Sequence, residues 1–143
     1  MLINQISVFI QNEKGRLSSI TEVLRDNNVD IRALSLADTT DFGILRLIVN
    51  DPDLAVKALK ESGHTVSMTK VIGVIIEDQP GGLCVPLKVL SDNNVSVEYM
   101  YAYIGGSKNK AVVIIRVENN ELAQKVLESN GIPMISPEEA YKF

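Results

Sequence analysis

The chain has 143 residues, of which 45% are hydrophobic and 22% charged, enough for one ordinary domain or two very small ones. Its formal net charge of −4 argues against a nucleic-acid partner, which would call for a basic stripe. No apolar run reaches the roughly 18 to 20 residues of a membrane span, and the single cysteine excludes an internal disulfide and a cysteine-based zinc site.

The start, MLINQISVFI, lacks a positive stretch followed by an apolar core, so it does not read as a signal peptide and a cytoplasmic location is expected. Within it Ile6, Val8 and Ile10 alternate with Ser7, Phe9 and Gln11, the periodicity of a strand. KGRLSSITEVLRDNN follows, with Leu17, Ile20, Val23 and Leu24 on one helical face. VDIRALSLAD reads as a strand, TTDFG as a turn and ILRLIVN as a third strand. DPDLAVKALKES reads as a helix, with Asp51 as N-cap and Pro52 in its first position, and Gly63 stops it. HTVSMTKV closes the series as a fourth strand.

The same series then recurs. DNNV occupies Asp26–Val29 and again Asp92–Val95, 66 residues later. At that offset Gly15 meets Gly81, Leu17 meets Leu83, Leu24 meets Leu90, and Ile6, Val8 and Ile10 meet Ile72, Val74 and Ile76. Farther on, LAVKALKESG meets LAQKVLESNG at an offset of 68, so two residues are inserted, most easily within IGGSKNK. Several matches in one order indicate a duplication. Each half reads β-α-β-β-α-β, the ferredoxin-like α+β sandwich of four antiparallel strands with two helices on one face. A unit of this size is marginal alone, and no Gly-, Ser- or Pro-rich linker lies between the halves. Two domains, 1–70 and 71–143, packed side by side, are therefore expected.

The fold supports many functions, so the loops carry the functional signal. QNEKGRLSSITEVLRDNNVDI in the first half answers to EDQPGGLCVPLKVLSDNNVSV in the second. A polar residue, a Pro-Gly or similar pair, an apolar helix, a polar turn and then V-polar-I/V resembles the ACT domain family over nearly the whole chain. DQPGGL is the closer match, because NEKGRL lacks the proline. The resemblance implies a regulatory module that binds a free amino acid at the interface between its two ACT-like domains. It implies no catalysis, no cofactor and no metal. The chemistry is compatible: backbone N–H groups at a helix N-terminus favour a carboxylate, and glycine lets a ligand approach the backbone.

By that resemblance the ligand-binding positions are Asn12, Lys14, Gly15, Arg16, Leu17 and Asp30 in the first half, and Asp78, Gly81, Gly82, Leu83 and Ser96 in the second. Asn12 and Asp78 precede the matched glycines by three residues and can accept from an ammonium group; Asp30 and Ser96 open the second strand of each half. Plain readings stand beside these: glycines that only permit turns, Asn12 and Asp78 as helix caps, and Asp30 and Ser96 as solvated strand residues. Aspartate at 30 and 78 replaces the neutral amide of serine-binding members, so the amino acid is not specified.

Tyr99, Tyr101 and Tyr103 share one face of a strand whose counterpart carries Ala33, Ser35 and Ala37, which suggests that the two edge strands pair. Cys84 is expected as a small buried hydrophobe, His64 as a turn residue without catalytic partners, and SPEEAYKF as a polar tail after the last strand, its acidic pair Glu138 and Glu139 solvated, that could dock on a partner. The expected partners are a free amino acid, a second copy of the chain in a homodimer, and a regulated enzyme; no nucleic acid and no membrane. The alternative function is a structural or protein-interaction module that keeps the fold without a ligand.

Overall fold

A computed structural model describes residues 1–11, 13–38, 41–103 and 107–142. The chain divides into two compact units. The first is Asn4–Thr69 with Tyr141–Phe143, and the second is Met1–Ile3 with Lys70–Ala140.

In the first unit the order is β1 (Ile3–Gln11), α1 (Arg16–Asp26), β2 (Ile31–Asp38), β3 (Phe42–Val49), α2 (Pro52–Glu61) and the opening of β4 (Thr65–Glu77). β3 pairs antiparallel with both β1 and β2, and β1 also neighbours β4. The alternation read in the sequence sorts the side chains. Ile6, Val8 and Ile10 of β1 join Leu45, Leu47 and Val49 of β3 against Ile20 and Leu24 of α1 and Ala55 and Leu59 of α2. The two helices thus cover one sheet face, as the ferredoxin-like sandwich requires.

The second unit repeats this with the continuation of β4, then α3 (Cys84–Asp92), β5 (Val97–Ala102), β6 (Lys110–Val117) and α4 (Asn120–Ser129), followed by a short α5 (Pro137–Lys142). β6 pairs antiparallel with β4 and β5. Ile72, Val74, Val113, Ile115 and Val117 pack on Leu90, Ala123 and Leu127. α3 tolerates Pro86 because it stands in the first turn, where a backbone N–H would have no intrahelical acceptor.

Local signals act as expected. The Asp51 side chain accepts from Leu54 N–H at 3.1 Å, with Pro52 opening α2. Asn119 does the same for α4, accepting from Leu122 N–H at 3.0 Å. Asn28 and Asn94 end the first helix of each unit with φ of 56° and 58°, the left-handed conformation that asparagine adopts most readily after glycine. Even the irregularities are duplicated: β2 shifts register between Ile31 and Ala33, and β5 between Val97 and Tyr99. Such bulges twist an edge strand away from unwanted pairing.

Three expectations need correction. First, the last strand of the first series and the first strand of the second are one strand, β4, thirteen residues long. The final strand of the second series shrinks to a bridge between Val74 and Met134. Ile75 N–H donates to Pro133 C=O and Ile135 N–H to Gly73 C=O, but Pro133 has no N–H to extend the ladder. Second, β2 and β5 are end strands whose ladders run to β3 and β6, so the expected pairing between them is not formed among the described residues.

Third, the C-terminal stretch is more than a polar tail, although Glu138 and Glu139 are exposed as expected. It carries α5, in which Ala140 is fully buried and its carbonyl accepts from the Tyr103 hydroxyl. The register sets Tyr101 opposite Ile114 and Ile114 opposite Gly73, so the tyrosines lie on the sheet face that the helices leave uncovered. A side chain at Gly73 would overlap Ile135 and lie 3.0 Å from Ile3 Cδ1, so these residues press directly on that face. The C-terminal segment therefore supplies the cover that the tyrosine stripe needs. In the first unit the matching face is mixed: Ala33 and Ile48 are fully buried opposite each other, and so is Gln5, whose amide donates to the Ser7 hydroxyl at 3.2 Å.

Candidate functional site

The turn before α1 is built around Gly15, whose φ of 84° costs an L side chain about 1 kcal/mol or more. Gly81 repeats it before α3 with φ of 83°. Gly82 is needed for a different reason, since a Cβ there would strike the carbonyl of Glu77. The tight turn behind it is closed by Gln79 N–H to Glu77 C=O and Gly82 N–H to Gln79 C=O, each 3.0 Å.

These turns leave α1 and α3 without side-chain caps: the cap positions are Gly15 and Leu83. α2 and α4, by contrast, are capped by Asp51 and Asn119. The first N–H of each helix, at Arg16 and Cys84, donates to a turn carbonyl, Glu13 C=O at 3.4 Å and Gly81 C=O at 3.1 Å. The next ones, at Leu17 and Ser18 of α1 and at Val85 of α3, are left for solvent or an anionic ligand group, and the helix dipole adds to the attraction.

Of the other expected positions, Lys14 is an exposed turn residue and Leu17 is 42% exposed on the first turn of α1. Arg16 opens α1 and pairs with Glu13 at 3.1 Å. Leu83 is half-buried against the second core. Asp78 is exposed and is not a cap; its backbone N–H donates to Asn109 C=O at 3.0 Å. Asn12 lies outside the described residues.

Asp30 and Ser96 are not near the glycine turn of their own unit. Asp38, at the end of β2, lines a hollow of about 270 Å³ with Gly15, Arg16 and Leu17. Asp30 precedes the opposite end of that eight-residue strand, roughly 25 Å away at about 3.3 Å per residue. There it pairs with Arg32 at 2.6 Å and its N–H donates to Asn50 Oδ1 at 2.8 Å. Ser96 lies beside Asn94 and Val95, beyond the C-terminus of α3.

Sequence reasoning missed a cleft on the far side of the α1 turn. It measures about 350 Å³ and is lined by Phe9, Gln11, Arg16, Phe42 and His64, with Ile10, Ile20, Gly63 and Thr65. Burial, and then the Arg16 guanidinium, hold the His64 imidazole below its usual pKa. The signal was available in topology: β1 and β4 are neighbours, which brings the start of α1 and the α2–β4 turn to one end of the sheet. The matching cleft of the second unit, about 440 Å³, includes Glu77, Gly82, Lys110, Ile132 and Pro133. Glu77 and Lys110 form an ion pair across it.

Cys84 also departs from expectation. It is exposed, because it falls on the first turn of α3 while Pro86 and Leu90 take the buried positions. Among the described residues there is no cluster of three or more His, Cys, Asp or Glu suited to a metal ion, and no helix is long and apolar enough to cross a membrane.

The crystal structure of protein BT0572 from Bacteroides thetaiotaomicron is similar at 40% identity and a TM-score of 0.94, covering 100% of this chain and 98% of that one. The ligand-free regulatory subunit of aspartate kinase from Thermus thermophilus shares the fold at 14% identity and a TM-score of 0.61, covering 88% of this chain and 90% of that one. The regulatory subunit from Thermus flavus does so at 16% identity and a TM-score of 0.61, with 90% and 93% covered. No curated protein matches the chain. The family model described as an ACT domain pair matches residues 1–143, and the chain belongs to that family.

Proposed function

We propose that this ACT domain pair is a non-catalytic regulatory module that binds a free amino acid at the glycine turns preceding α1 and α3. The observation that carries the reading is the contrast in capping. α2 and α4 are closed by side chains, whereas α1 and α3 begin without a side-chain cap, which leaves the N–H groups of Leu17 and Ser18, and of Val85, for a carboxylate. Lys14, Gly15, Arg16 and Leu17 surround one turn, and Asp78, Gly81, Gly82 and Leu83 the other. The ammonium group of the ligand is assigned to Asp78 in the second turn and to Asn12 in the first.

Binding would act by favouring one of two states of the chain, which requires different affinities for them. The module works in the cytoplasm as a homodimer and passes the signal to an enzyme partner. The Thermus proteins that share the fold are regulatory subunits of an enzyme, which supports that assignment.

Thermal unfolding in the presence of each of the twenty amino acids tests the reading. One ligand at one hundred times its dissociation constant should add about 2.7 kcal/mol of stability. Asp78→Ala should weaken binding at the second turn. No stabilisation by any amino acid at millimolar concentration would overturn the proposal in favour of a ligand-free interaction module. Light scattering tests the dimer.

A further inference from the structure

The first-unit cleft differs in chemistry from the glycine turns, although Arg16 lines both. Among the described residues lining it, Arg16 and His64 are the ionisable ones and none is acidic. Glu13, which pairs with Arg16, is an exposed loop residue and does not line the cleft. That ion pair is solvent-exposed, so it is worth little and is readily exchanged for another carboxylate. A guanidinium fork matches a carboxylate in two parallel hydrogen bonds. Phe9 and Phe42, 46% and 48% exposed, present aromatic surface at the same opening. The volume of about 350 Å³ falls within the range of small-molecule sites.

The second unit offers the contrast. At its equivalent positions Arg16 becomes Gly82, His64 becomes Ile132, Gln11 becomes Glu77 and Phe42 becomes Lys110. That cleft contains its own carboxylate and its own ammonium, already paired with each other. An incoming anion finds no unmatched cation there. Nor could the arginine be restored by substitution, since a Cβ at position 82 would strike the Glu77 carbonyl.

We propose that the first-unit cleft binds small carboxylates with an apolar body, Arg16 and His64 holding the carboxylate and Phe9 and Phe42 the body. The site shares Arg16 with the first glycine turn of the proposed function, and a probe without an amino group tests it apart from amino-acid binding. Bound carboxylate opposes the effects of burial and of Arg16 on His64, so binding takes up a proton and tightens as pH falls.

His64 is the only histidine in the sequence, so its imidazole C–H resonances need no assignment. Sodium 3-phenylpropionate, which has no amino group, is titrated into the full chain and these resonances are followed by NMR. The expected result is a saturable shift, an upward move of the His64 titration midpoint of about one unit or more, and binding at least about threefold tighter at pH 6 than at pH 8. Arg16→Gln, an exposed change that leaves the core untouched, should abolish saturation. Phe42→Ala should weaken binding about fivefold or more while inorganic phosphate binds more weakly than the probe. A non-saturating shift, a saturable one that survives Arg16→Gln, or equal affinity at both pH values would overturn the site. Phosphate binding as tightly as the probe would overturn the role of the phenylalanines. Failure of all twenty amino acids in the thermal assay would leave this result standing.

Discussion

Arg16 and Gly82 occupy the same position in two copies of one backbone, and the neighbourhoods built around them differ in kind. In the first unit the turn has room for a side chain at that position, and its arginine faces a histidine drawn from the α2–β4 turn. In the second the turn folds back on the Glu77 carbonyl so tightly that only glycine fits, and an ion pair takes the place of the open cation. The frame was copied with fidelity down to its bulges and left-handed asparagines. The chemistry at the rim was not. Duplication thus preserves what packing and backbone geometry demand, and frees the side chains that neither demands.

The strongest test of equivalence is in the cores. Leu24 and Leu90 are matched and each is 1% exposed. Truncating either to alanine should cost about 2–5 kcal/mol, measured by urea denaturation of the full chain. If one truncation costs less than about 1 kcal/mol, the two cores are not comparably packed.

The faces opposite the helices should respond unequally. Gly73→Ala forces a methyl against Ile135 and Ile3, and should cost about 1–3 kcal/mol. Its counterpart Ser7→Ala loses one hydrogen bond from the buried Gln5 amide and should cost about 1 kcal/mol or more. A Gly73→Ala protein as stable as the parent would show that the C-terminal segment gives way freely.

The second helices should again behave alike. Asp51→Ala and Asn119→Ala each remove a cap acceptor 3.1 and 3.0 Å from its donor, and each should lower stability by about 1 kcal/mol. Unequal losses in thermal unfolding would show that one helix depends less on its cap.

The smallest expected effect is one of pH and belongs to the first unit alone. His64 is held below the usual 6.5, so its neutral form stabilises the fold. That contribution is present above about pH 6.5 and is lost as pH falls from there through the lowered folded-state value. A His64→Gln protein should have a flatter stability profile between pH 7 and pH 5; an unchanged slope would place the titration elsewhere.

Much of this was legible in the chain. Alternating isoleucines and valines located β1, β3 and β4, and Asp51–Pro52 and the two DNNV strings marked helix ends through local chemistry that acts regardless of surroundings. What escaped reading depended on distant residues. Pro133 reduced a strand to a bridge because a missing N–H matters only once a partner strand is known. Cys84 faces outward because of helix phase, which a single residue type does not reveal. The pairing of Arg16 with His64 joins positions 48 residues apart in one chain end of the sheet, with no motif spacing to announce it. The Gly15 and Gly81 turns were foreseen, yet their geometry speaks to backbone necessity as much as to ligand approach.

β4 runs through thirteen residues without a break, and this imposes a rule of parity on the lineage of such proteins. The second half carries two residues more than the first between its matched helices, and the fold absorbed the change. Inside β4 a single inserted or deleted residue would turn Ile72, Val74 and Ile76 from the helix-covered face to the other and strip the second core of one wall. Divergence in length is therefore expected to collect in the hairpin loops, while the middle of the chain can change its letters but not its count.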